Sequence, residues 1–138
     1  MRTLHLGLRV AELDRSLAFY TAVGYEIVGS VPDTALGHLT MLKLQGDEFV
    51  TIELVHDPTH GELETPTRLT HFVIHVQSMD ATLAQLSERG IGAEAPTSPD
   101  GSADFLTTWI VDPDGNRIEL VQWPSGHADG ITAADWAD

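Results

Sequence analysis

Apolar and polar residues alternate along Leu4–Val10, with Leu4, Leu6, Leu8 and Val10 on one side and His5, Gly7 and Arg9 on the other. A period of two marks a strand with one packed and one open face. Leu17, Ala18, Tyr20, Thr21 and Val23 then recur at helical spacing behind Asp14, a candidate N-cap, and Gly24 ends the helix. Tyr25–Val31 reads as a strand and Pro32-Asp33 as the start of a turn. Gly37–Leu44 and Phe49–Val55 are two more strands, the last with Phe49, Thr51, Glu53 and Val55 on one side. The order is β-α-β-β-β. His56–Arg68 holds Asp57-Pro58 and Thr65-Pro66 without a period, which makes it a linker. The pattern then starts again. Thr70–Val76 alternates with His71, Val73 and His75 on one face, and Asp80 caps a helix over Ala81–Arg89 that Gly90 ends. Ile91–Ala95 is a short strand and Pro96–Gly101 a loop. Asp104–Val111 and Arg117–Trp123 are strands around Asp112-Pro113-Asp114-Gly115-Asn116, a turn in which Pro113 presets φ and Gly115 takes φ > 0 freely.

Sliding the chain by 66 residues superimposes its halves: Ile52-Glu53-Leu54-Val55 falls on Ile118-Glu119-Leu120-Val121, His5 on His71, Asp14 on Asp80 and Gly24 on Gly90. Two copies at so long a period are a duplicated half-domain, since a solenoid needs at least three stacked repeats. The expected fold is α+β: two tandem β-α-β-β-β modules, 1–55 and 69–123, joined by the linker 56–68 into one domain over 1–123. Residues 124–138 are a tail of Gly, Ala and Asp carrying Ile131 and Trp136, either loose or docked through the Trp.

At 138 residues the chain suffices for one domain with a sizeable core, and 42% apolar against 20% charged residues favours a globular fold over disorder. No apolar run reaches membrane-spanning length, and the first residues lack a basic segment followed by an apolar one. A soluble, cytoplasmic protein without a membrane partner is expected. Its 21 acids against 7 bases, net −14, repel phosphate backbones and argue against nucleic acid. With no Cys, disulfides, thiolate metal sites and Cys nucleophiles are excluded.

The repeat changes the reading of four residues. Alone, a His on a strand is more often a hydrogen-bonded wall residue than a ligand, and a Glu in a β-branched strand is usually its wetted face. Solvated faces give no reason for His to recur on both first strands while Glu recurs on both last strands. One duplicated site accounts for His5, Glu53, His71 and Glu119 together. A strongly twisted sheet can turn those faces toward a common cleft. Two imidazoles and two carboxylates suit a borderline divalent ion such as Zn²⁺, Ni²⁺ or Co²⁺ with room for water, and the cation offsets repulsion between the acids. Arg9, on the His5 face, is either a surface residue covering apolar wall with its stem or an anion clamp beside the ion. His75, its counterpart, is a wall residue first and a support for the ligands second. His38, His56, His60 and His127 have no His partner at this offset and read as surface residues; Phe19, Tyr20 and Trp109 read as core.

The segments Leu4-His5 … Arg9-Val10 … Leu13-Asp14-Arg15-Ser16-Leu17-Ala18-Phe19-Tyr20, Thr51-Ile52-Glu53-Leu54, Thr70-His71-Phe72 and Asp112-Pro113-Asp114-Gly115-Asn116-Arg117-Ile118-Glu119-Leu120 resemble glyoxalase I (lactoylglutathione lyase) of the vicinal oxygen chelate superfamily. The likeness runs from residue 1 to about residue 123. The Asp-Pro-Asp-Gly turn is shared across the superfamily; the four ligand positions are the specific part. The resemblance implies a curled, cup-like mixed sheet and a homodimer with active sites shared between subunits. It implies a divalent ion on His5, Glu53, His71 and Glu119, with Ni²⁺ or Zn²⁺ first and Co²⁺ or Mn²⁺ next. The implied reaction isomerises the hemithioacetal of methylglyoxal and a thiol into a lactoyl thioester through an enediolate. Glu119 is its base, Glu53 the pseudo-symmetric alternative, and Arg9 a contact for a substrate carboxylate. Members that use glutathione also carry an Asn shortly after the first Glu and basic residues in the loop of the second module. Here Asp57 stands in the first place, and Ala95–Asp104 carries Asp100 and no Lys or Arg, a field that repels an anionic thiol. Two other readings come with the superfamily: a protein that sequesters a drug or natural product, like the bleomycin-resistance members, and a ring-cleaving dioxygenase. The intact ligand set argues against the first. Glu53 argues against the second, because oxygen chemistry uses two His and one carboxylate with open positions.

Overall fold

The computed structural model describes residues 3–59, 69, 71–131 and 133–136. The chain divides into two compact units, Met1–Thr67 with Asp112–Gly115, and Arg68–Val111 with Asn116–Asp138. Both are α+β, one built on a mixed sheet of four strands and the other on a mixed sheet of three.

The first unit runs β1 (Leu6–Arg9), α1 (Leu13–Val23), β2 (Tyr25–Thr34), β3 (Gly37–Leu44) and β4 (Ile52–His56). Its sheet order is β1-β4-β3-β2, with β1 parallel to β4 and the remaining pairs antiparallel. Leu8, Val10, Tyr20, Leu42, Ile52 and Leu54 are its buried core. The outer end of the alternating pattern is not packed: Leu4 is 59% exposed and lies outside β1, and Phe49–Thr51 lies outside β4. α1 begins before Asp14. Glu12 is its N-cap through extended backbone and without a side-chain bond, while Asp14 sits in the first turn, where its charge favours the helix N-terminus. Gly24 ends the helix at φ 127°, as its sequence position implies. Pro32 and Asp33 do not begin a turn; β2 continues through them to Thr34. β2 is the sheet edge, where a missing N–H costs no ladder bond, and its register with β3 slips between Val31 and Thr34.

The turn Asp112–Gly115 completes this unit. Tyr20 Oη donates to Asp112 Oδ2 at 2.7 Å, both residues being buried. The Asp114 carboxylate accepts from Ala11 N at 3.3 Å and Ser16 Oγ at 3.2 Å, and Arg15 Nη2 lies 3.5 Å away. Burial, reinforced by the Asp112 charge, pushes the Tyr20 phenol well above its ordinary pKa, so the hydroxyl stays a donor. Tyr20→Phe removes a hydrogen bond to a buried carboxylate and should lower unfolding free energy by about 1.5–3 kcal/mol, read as a lower urea midpoint with an unchanged slope. A midpoint equal to that of the wild type would show that this bond does not secure the turn.

The second unit runs β5 (His71–His75), α2 (Met79–Glu88), β6 (Leu106–Val111) and β7 (Arg117–Gln122), with sheet order β5-β7-β6. Ile74, Met79, Leu86, Ile110, Ile118 and Leu120 fill its core. Ser78, not Asp80, caps α2: its Oγ accepts from Ala81 N at 3.3 Å. The side chain of Gln122 then fixes where α2 starts, since its Oε1 accepts from Met79 N at 2.7 Å. Ile91–Ala95 is not a strand. Glu94 N donates to Trp109 O at 3.0 Å, whereas Thr97 and Thr107 exchange both backbone bonds at 2.9 Å. The pairing count therefore slips by a residue across Ala95-Pro96, and Pro96 has no N–H with which to restore a ladder.

Beyond β7, His127 is more than a surface residue. Its ring stacks on Trp123 with centroids 4.6 Å apart, and Trp123 stacks on Phe105 at 5.3 Å. Nδ1 faces the Ala128 carbonyl at 2.6 Å and Nε2 faces Asp135 Oδ1 at 2.8 Å. Two acceptors favour the imidazolium, so the carbonyl and then the carboxylate raise the His127 pKa above the usual histidine value. A short 3-10 helix follows at Ala133–Trp136. Thr70, His60, most of the linker and the docking expected of the Trp136 side chain lie outside the described residues.

Candidate metal centre

Parallel pairing of β1 with β4 sets Leu6 opposite Ile52, Gly7 opposite Glu53 and Arg9 opposite Val55. His5, two residues before Gly7, falls on the Glu53 side, and its Nε2 stands 3.4 Å from Glu53 Oε2. β5 and β7 repeat the register 66 residues later: Phe72 is opposite Ile118, Val73 opposite Glu119 and His75 opposite Val121. His71 Nε2 stands 3.8 Å from Glu119 Oε2. The duplication thus extends from residue types to strand pairing and to side-chain contact. In both pairs the acid is the more covered partner, 13% and 22% exposed against 36% and 38% for the imidazoles.

Neither contact is a close hydrogen bond. Donors at about 2.0–2.2 Å from one ion stand about 2.8–3.6 Å apart for angles between right and tetrahedral. The His5–Glu53 pair lies inside that range and the His71–Glu119 pair just beyond it. Ring nitrogen beside carboxylate oxygen is also the donor chemistry of a borderline divalent ion. Each pair therefore fits half of a metal site. Among the described residues, no three His, Asp or Glu side chains gather into such a group within either unit.

Arg9 continues the His5–Gly7 face, and its Nη1 is buried with no hydrogen-bond partner among the described residues. A buried donor left unpaired costs about 1–3 kcal/mol, so an acceptor for this atom would be stabilising. Gly7 keeps the face low: a Cβ there would lie 3.9 Å from Glu53 Oε1, and a larger side chain would cover the acid. In the second unit Val73 takes the place of Gly7. His75 takes that of Arg9, with its Nε2 3.9 Å from Asp129 Oδ1.

Trp109, read as core, belongs to the site face instead. It is opposite Glu119 in the β6–β7 ladder, and its ring meets the His71 ring edge-on at 5.1 Å. Arg117 lies 4.1 Å above the indole and reaches Glu94 Oε1 at 3.2 Å. The corresponding neighbour of Glu53 is Met41. The 66-residue count misses this equivalence, because the β3–β4 connection is longer than the tight turn between β6 and β7. Counting outward from Asp112–Asn116 as a hairpin would have found Trp109.

The family described as the Glyoxalase/Bleomycin resistance protein/Dioxygenase superfamily matches residues 2–120. A probable lactoylglutathione lyase of Vibrio cholerae serotype O1 is 31% identical over 131 residues, covering 92% of this chain and 94% of that protein. Among solved structures, a trypanothione-dependent glyoxalase I of Leishmania major is 25% identical with a TM-score of 0.70, across 88% of this chain and 86% of that one. An antibiotic-binding protein from Streptomyces sp. CB03234 is 25% identical with a TM-score of 0.67, across 91% and 98%. Among the described residues no helix is long and apolar enough to cross a membrane.

Proposed function

The chain belongs to the glyoxalase/bleomycin resistance protein/dioxygenase superfamily, and on that premise we propose that it is a metal-dependent lyase or isomerase of glyoxalase type, acting on a hemithioacetal or a related 2-oxo compound. The observation that carries this reading is the His–Glu pair found twice in one register. His5, Glu53, His71 and Glu119 would hold the ion, Ni²⁺ or Zn²⁺ before Co²⁺ or Mn²⁺. When bound, it supplies a Lewis acid for two adjacent substrate oxygens. Glu119 takes the proton from the carbon that bears the hydroxyl and sulfur, and returns it to the neighbouring carbonyl carbon. The hydroxyl proton passes to the second oxygen, so a 2-oxo hemithioacetal becomes a 2-hydroxy thioester with no oxidant consumed. Glu53 is the pseudo-symmetric alternative base. The unpaired Arg9 Nη1 suits a substrate carboxylate, and Trp109 walls the Glu119 side.

On this reading the two half-sites join across a homodimer, the His5–Glu53 pair of one copy meeting the His71–Glu119 pair of the other. Asp57, and Asp100 held by Ser98 Oγ at 3.1 Å and Ser102 N at 2.9 Å, disfavour glutathione as the thiol. Metal quantitation on the purified chain, followed by methylglyoxal assays with several thiols, is expected to give a bound divalent ion and turnover with a thiol less anionic than glutathione. Absence of turnover with every thiol tested would leave the fold standing and remove the activity. Protein that binds no metal would support the sequestering reading, which the likeness to the antibiotic-binding protein favours. Oxygen uptake would support the dioxygenase.

A further inference from the structure

His38 and His56, without partners in the 66-residue count, are partners in space. They stand directly opposite each other in the antiparallel β3–β4 ladder. Each is three residues from the Met41–Glu53 pair, so both project from the other face of the sheet. Side chains directly opposite in such a ladder have Cβ atoms about 4.5–5.5 Å apart, within reach of one ion for two imidazoles. Both His line an open cleft of about 540 Å³ together with Asp33, Thr34 and Pro58.

The backbone around this pair is tightly fixed. Thr34 Oγ1 accepts from Leu36 N at 3.1 Å and donates to the Gly37 carbonyl at 2.7 Å, closing the hairpin immediately before His38. Gly37, at φ +118°, lies against His56 so closely that a Cβ would stand 2.5 Å from the His56 carbonyl oxygen. A side chain there would push β3 away from β4 and part the two imidazoles.

We propose that His38 and His56 form a second metal-ion site in this cleft, separate from the His5–Glu53 pair, which takes Zn²⁺, Ni²⁺ or Cu²⁺ through two imidazole nitrogens. Imidazole suits these ions, water completes their coordination, and Asp33 lines the same cleft. A chain of net charge −14 further concentrates cations at its surface. The site rests on the β3–β4 register alone and stands whether or not the catalytic reading does.

The test is a Zn²⁺ titration of the full chain followed by imidazole ¹H–¹⁵N resonances, with calorimetry for stoichiometry. The His38 and His56 rings should shift together with one midpoint. His38→Gln and His56→Gln should each abolish the response of the remaining ring and bind one ion per chain fewer, with the His5 and His71 responses and the circular dichroism unchanged. Silent rings, rings with different midpoints, or unchanged stoichiometry in both variants would overturn the site. If either substitution disturbs folding, the ring titration of the wild type decides.

Discussion

Glu119→Gln is expected to lower kcat for a hemithioacetal by about 10²- to 10⁴-fold, the usual contribution of a positioned general base. Gln keeps the shape and one carbonyl-type oxygen beside His71, but an amide cannot accept the carbon-bound proton. Glu53→Gln in the other unit is the matched control, because both acids sit in one register beside a His. With Glu119 as the base, Glu53→Gln chiefly weakens metal retention, and saturating metal restores most of its turnover. The reverse pattern would assign the proton transfer to Glu53. Unchanged kcat in both variants, at measured and equal metal content, would remove carboxylate proton transfer altogether.

Mixing two inactive variants should regenerate activity. One carries His5→Ala with Glu53→Gln, the other His71→Ala with Glu119→Gln. Each unit brings its own His beside its own Glu. In a shared-site dimer, a heterodimer of the two variants has one site damaged in all four groups and one site intact. An equal mixture allowed to exchange subunits contains about half heterodimers and so about a quarter of the wild-type sites. Recovery near that fraction supports pairing between copies. No recovery, with exchange verified, would place all four groups of each site on a single chain.

The features most legible in the sequence are those that depend on near neighbours. Alternation located β1 and β5, and glycine at φ > 0 marked the end of α1. Repetition singled out His5, Glu53, His71 and Glu119, and the structure places each His beside its Glu. What depends on strand partners was harder to read. Pro32 looks like a turn signal until β2 proves to be an edge strand. Ile91–Ala95 has strand composition, but the slip at Pro96 denies it a ladder. Asp14 and Asp80 were reasonable caps by residue type, yet both helices start earlier, at points set by contacts of Ala11, Ser16 and Met79 with distant residues. Trp109 and the His38–His56 pair are visible only once register is known.

The anchoring of Asp112–Gly115 has a consequence for biosynthesis. A nascent chain that has reached residue 67 contains every strand and helix of the first unit but neither acid that receives Tyr20, Ser16 and the Ala11 amide. Those groups must wait on the ribosome until most of the second half has emerged. The earlier half of the duplication is therefore finished by a segment translated within the later one.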